Sequence, residues 1–123
     1  VCRRERKLFG GGMRQAGIVA AGGLYAVRHH IGRLAEDHAN ARYLAAALNE
    51  FKLFSVDLAR VQTNIVLADI NGAETSDSVL ARMNEVGVWA IAFGLKRIRL
   101  VTHLDVPRAD CEEAVARLRT ILV

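Results

Sequence analysis

Arg97-Ile98-Arg99-Leu100-Val101 decides how the second half of this 123-residue sequence is read. Side chains of a β-strand alternate between its two faces, so Arg97, Arg99 and Val101 share one face and Ile98 and Leu100 the other. Gly94-Leu95-Lys96 reads as a turn, and residues 88–93 before it read as a partner strand. Further upstream, Thr75-Ser76-Asp77 is an N-cap cluster. Val79, Leu80, Met83 and Val86 follow at helical spacing, with Gly87 as the residue after the helix. Thr63-Asn64-Ile65-Val66-Leu67-Ala68 is apolar at successive positions and predicts a strand covered on both faces. Downstream, Pro107 opens a last helix, with Asp105 close to its cap and a stripe of Cys111, Ala114, Val115, Leu118, Ile121 and Leu122.

Residues 13–50 favour helix. Ile31, Leu34, Ala35, His38, Ala45 and Leu48 form one stripe, and Arg33 and Asp37 pair at i,i+4 on the other side. A single uncapped helix of this length is unusual, so Gly22-Gly23 or Gly32 is expected to kink or divide it. Ile18-Val19-Ala20-Ala21-Gly22-Gly23-Leu24 is apolar or small all round, which predicts a close helix contact with a partner. The expected fold class is therefore α+β. A long N-terminal helix leads into a small C-terminal domain, whose short, mostly antiparallel sheet is covered by helices. The expected division is 1–50 and 51–123.

Composition narrows the function. Hydrophobic residues make up 52% and charged residues 24%, which suits a globular chain and argues against disorder. No apolar run is long enough to span a bilayer, so no membrane partner is expected. The net charge of +4 belongs to residues 1–14, where Arg3, Arg4, Arg6, Lys7 and Arg14 face only Glu5. Tyr25 and Tyr43 lie far from that segment and only Phe9 lies within it, so a nucleic-acid partner is not expected. Cys2 and Cys111 have neither metal spacing nor a disulfide framework, consistent with the cytoplasm. The opening Val1-Cys2-Arg3-Arg4 is neither an initiator methionine nor a signal peptide, so the chain reads as part of something longer.

Three groups of residues could carry chemistry. Arg6-Lys7-Leu8-Phe9-Gly10-Gly11-Gly12-Met13-Arg14-Gln15-Ala16-Gly17 is either an anion-facing glycine loop or a hinge before a helix. It is neither a dinucleotide fingerprint nor a P-loop. Arg97 and Arg99 are on one sheet face, where an arginine either grips a carboxylate bidentately or lies at the surface. His29, His30, His38 and His103 lack the spacing of a metal site, so no metal is expected.

Four segments together resemble one family. The glycine-rich string is similar to the R-K-x-x-G-G-G-M-R-Q-x-G segment of low-specificity L-threonine aldolases. Arg33-Leu34-Ala35-Glu36-Asp37-His38-Ala39-Asn40-Ala41 resembles their R-L-x-E-D-H-x-N-A stretch, and Thr63-Asn64 before an apolar strand resembles another. Arg99-Leu100-Val101-Thr102-His103-Leu104-Asp105-Val106 resembles their R-x-V-T-H-L-D-V segment. The resemblance implies a homo-oligomeric enzyme of fold type I that depends on pyridoxal 5′-phosphate (PLP). Such an enzyme cleaves β-hydroxy-α-amino acids such as L-threonine or L-allo-threonine to glycine and acetaldehyde. It implies that Arg99 holds the substrate carboxylate. Lys7 and Arg14 would lie near the cofactor, at a site shared with a neighbouring subunit. The family's PLP lysine lies upstream of the glycine-rich motif and has no counterpart among Lys7, Lys52 and Lys96, so the chain alone is expected to be inactive. The alternatives are another fold-type-I PLP lyase, β-eliminating like tyrosine phenol-lyase, and a standalone interaction domain.

Overall fold

The alternation at residues 97–101 becomes a strand in the computed structural model, which describes residues 2–122. The sheet comprises β1 (Phe54–Ser55), β2 (Ile65–Ile70), β3 (Ile91–Ala92) and β4 (Arg97–Val101). Its order is β1-β2-β4-β3, and each neighbouring pair is antiparallel. The long pairing is β2 with β4, running from Ile65 opposite Val101 to Asp69 opposite Arg97. Directly opposite residues point to the same face. Val66, Ala68, Ile98 and Leu100 therefore go into the core together, and all four are buried. Ile65, Leu67, Asp69, Arg97, Arg99 and Val101 occupy the opposite face.

That second face corrects one expectation. The composition of β2 predicts cover on both sides, yet Ile65 and Asp69 are exposed and Leu67 is only half-buried. The cause is that α3 (Leu34–Leu48), α4 (Ser76–Glu85) and α5 (Arg108–Arg119) add their stripes to one shared core with the inner face. Leu48, Val79, Met83, Val115 and Leu118 are all 2% exposed or less. Gly87 ends α4 with φ +74°, a conformation that a side chain resists, as the C′ reading requires. Thr75 caps α4 through a reciprocal pair of hydrogen bonds with Ser78.

The helix expected over residues 13–50 is two helices, α2 (Gly17–His29) and α3, divided by a turn over residues 30–33 that contains Gly32. Gly22 and Gly23 stay within α2. The buried face of α3 also differs from the predicted stripe. Leu34 and Ala35 are exposed, whereas Asp37, Asn40, Ala41, Leu44, Ala45 and Leu48 are buried. Two polar residues belong to that face, and the chain after β4 bonds to this part of α3. Thr102 Oγ1 donates to the Asp37 carbonyl at 2.7 Å, and Asn40 Nδ2 donates to the Val106 carbonyl at 3.1 Å.

The chain divides into two compact units, residues 1–33 and 34–123. The first holds α1 (Cys2–Leu8) and α2, neither of which has a buried residue. The second holds the sheet, α3, α4, α5 and the core.

Candidate functional site

The open sheet face has two arginines in different circumstances. Arg97 is opposite Asp69, and the two form a fork-to-fork pair: Nε to Oδ1 at 2.6 Å and Nη2 to Oδ2 at 3.0 Å. The hydrogen bonds from Arg97 hold the Asp69 carboxyl below its usual value of 3.8, and the charges of Arg97 and Arg60 act in the same direction. Asp69 in turn raises Arg97. Each partner thus favours the charged form of the other.

Arg99 is two residues along the same face, in a row of different composition. Leu67 of β2 is opposite it on one side and Ile91 of β3 on the other. Its Nε is buried without a hydrogen-bond partner, the one such side-chain atom among the described residues. Buried donors are almost always satisfied in folded proteins, and an orphan marks a strained or functional position. The Phe93 ring lies over the guanidinium, with its centroid 5.9 Å from Cζ. A cleft of about 160 Å³ opens on the same face, lined in part by Arg60, Leu67, Asp69 and Arg97. The face thus combines an arginine paired through Nε and Nη2 and one whose buried Nε has no partner.

The glycine-rich segment has a different geometry. Phe9, Gly10 and Gly11 donate their backbone N–H groups to the carbonyls of Glu5, Lys7 and Arg6 at 3.1, 3.2 and 2.7 Å. A Cβ on Gly11 would come within 2.5 Å of Arg6 Cγ and 2.8 Å of the Arg6 carbonyl oxygen. Gly10, at φ +80°, completes this tight end to α1. These three amides are used inside the turn and are not offered to an anion. Lys7 and Arg14 are both exposed in this unit.

Motif residues of the second unit meet in one network. Besides the bonds to α3, Thr102 N–H donates to the Asn64 carbonyl at 3.0 Å, and Asn64 Nδ2 donates to the Thr102 carbonyl at 2.7 Å. Asp37, Asn40, Asn64, Thr102 and Val106 therefore fasten the exit of β4, three residues beyond Arg99. His103 accepts the Asp105 N–H at Nδ1, 3.2 Å away, and its side chain is more than half exposed. Among the described residues no three histidines, cysteines or carboxylates gather as a metal site. The lysines do not suit a PLP anchor. Lys96 Nζ is committed to the carbonyls of Gly72 and Glu74 at 2.8 and 2.6 Å, and Lys7 and Lys52 are exposed.

A family model described as beta-eliminating lyase matches residues 2–71. The chain belongs to the beta-eliminating lyase family. Within that family it is similar to the low specificity L-threonine aldolase of Escherichia coli (strain K12), at 40% identity over 97% of this chain and 34% of that protein. It is also 39% identical to a probable low-specificity L-threonine aldolase 2 of Arabidopsis thaliana, over 87% of this chain and 31% of that one. This lyase-family chain spans about a third of the length of these curated relatives. Among solved structures, it resembles the cystine C-S lyase C-DES in complex with cysteine persulfide. That match has a TM-score of 0.65 at 16% identity, over 84% of this chain and 28% of that one. A Lactobacillus brevis glutamate decarboxylase matches with a TM-score of 0.58 at 17% identity, over 70% and 22% of the two chains. These likenesses carry the fold alone. Asp69 and Phe93 are absent from the sequence-derived site. Asp69 was recoverable from the alternation of β2, which sets it on the face of Leu67, whereas the position of Phe93 over Arg99 depends on how the 94–96 turn folds back.

Proposed function

We propose that this chain is the C-terminal third of a PLP-dependent aldehyde-lyase that cleaves L-threonine and L-allo-threonine to glycine and acetaldehyde. The observation that carries the reading is the contrast between Arg97, paired with Asp69, and Arg99, whose Nε has no partner. In it, Arg99 takes the amino-acid carboxylate through a charge-assisted fork, orienting the substrate with no competing acid in its own row. PLP would serve as the electron sink for Cα–Cβ cleavage. The lysines here do not fit its anchor, so the covalent attachment belongs to the rest of the protein. Residues 1–50 would end the large domain and connect it to the small domain of residues 51–123. Lys7 and Arg14 would serve a site shared with a neighbouring subunit of a cytoplasmic, glycine-forming homo-oligomer.

The family match favours a second reading, in which the full-length protein eliminates a β-substituent from an amino acid such as tyrosine. Supplying the full-length protein with PLP and, in turn, L-threonine, L-allo-threonine and L-tyrosine separates the two. The aldolase reading expects glycine and acetaldehyde from the first pair and no phenol from the third. Phenol and pyruvate from tyrosine, with no glycine from threonine, would favour the second.

A further inference from the structure

An arginine that must receive a substrate has a positioning problem. Its side chain is long and rotatable, and a carboxylate neighbour that fixed it would occupy the donors the substrate needs. The open face shows the first half of this problem in Arg97, which Asp69 both orders and uses up. Arg99 has a different kind of neighbour. Leu67 and Ile91 flank it without acceptors in their side chains, and Phe93 lies over its guanidinium. An aromatic face attracts a cation through its quadrupole and leaves the N–H groups around the rim of the guanidinium unoccupied.

The backbone holds Phe93 there. Its N–H donates to the Arg97 carbonyl at 2.8 Å, carrying the pairing of β3 with β4 one residue past the strand. Gly94 then turns the chain at φ +104°, a conformation that glycine adopts without strain. The Phe93 side chain is half exposed, so this placement contributes to the open face rather than to the core.

We propose that Phe93 is a positioning residue for Arg99, holding the guanidinium by cation–π attraction with its donors available to a substrate carboxylate. This rests on the reading of Arg99 as the carboxylate-binding arm. In the full-length protein, Phe93→Leu is expected to raise KM for L-threonine about three- to tenfold while leaving kcat nearly unchanged. Phe93→Tyr, which keeps the ring, should restore KM. Because Phe93 acts through Arg99, adding Phe93→Leu to Arg99→Ala should cost nothing further. In the 123-residue chain itself, the Arg99 Nε–H resonance should move on Phe93→Leu and stay close to its place on Phe93→Tyr. An unchanged KM and an unchanged Nε–H resonance in Phe93→Leu would overturn the proposal. So would a double variant whose losses add, even with Arg99→Ala impaired, and in that case the carboxylate reading would stand. If Arg99→Ala alone leaves KM unaltered, both readings fall.

Discussion

Asp69 is the residue that makes two chemically identical side chains unequal. Its carboxylate takes two hydrogen bonds from Arg97, and its pKa falls as a consequence. A carboxyl whose folded pKa is depressed contributes stability that is complete above the unfolded value, near pH 3.9, and is lost as pH falls through the lower folded value. The pairing should therefore hold throughout the neutral and mildly acidic range and open only in stronger acid. A carbon NMR titration of the Asp69 carboxyl should give a midpoint below the ordinary value, and Arg97→Ala should move it back up. A midpoint unaffected by that substitution would show that the ion pair does not form in solution. Asp69→Ala would leave Arg97 as a second anion-binding side chain on the face, and carboxylate binding should become less selective for that reason.

At the scale of elements, β4 and the last two helices were readable because their apolar periodicity is clean. The apolar run at 65–68 of β2 instead hid its open face, and the strand expected over 88–93 is reduced to Ile91–Ala92. The alternation of residues 97–101 predicts the two faces of β4, and the stripes of α4 and α5 predict their buried sides. Helix α3 was less legible, because its inner face includes Asp37 and Asn40, which a search for apolar spacing passes over. The side-chain partner of Asn40 lies more than sixty positions away, at the Val106 carbonyl, and Thr102 reaches the backbone of Asp37 from a similar distance along the chain. β1 has only two residues, too few to carry a period. The glycine-rich segment left two readings open, and the turn that uses three of its amides closes on the backbone carbonyls of Glu5, Arg6 and Lys7. Thr102 allows a direct test. Thr102→Val keeps the shape and removes the buried donor to the Asp37 carbonyl, so it should destabilise the second unit by about 1–3 kcal/mol in urea unfolding. A change within about 0.5 kcal/mol would mean that this bond is not a net contributor.

At the scale of the whole molecule, two expectations concern what the chain lacks. Lys7 and Lys52 are exposed and Lys96 is bound to two carbonyls, so none has the setting of a cofactor anchor. Treating the 123-residue chain with PLP and borohydride should leave no lysine labelled stoichiometrically, as read by peptide mass spectrometry. One fully labelled lysine would contradict that. The first unit supplies the second expectation: Ile18, Val19, Leu24, Tyr25 and Val27 are all at least half exposed along α2, and apolar surface of that kind drives association. Light scattering should report a dimer or larger species, and a monomer at high concentration would count against it. Arg99, rather than Arg97, is proposed to receive the substrate, and kcat/KM for L-threonine in Arg99→Ala and Arg97→Ala variants of the full-length protein separates the two. Loss of a charge-assisted fork should cost Arg99→Ala roughly 2–4 kcal/mol, about thirtyfold or more, and Arg97→Ala should stay near the parent value. The reverse pattern, with Arg97→Ala impaired and Arg99→Ala close to normal, would contradict the account.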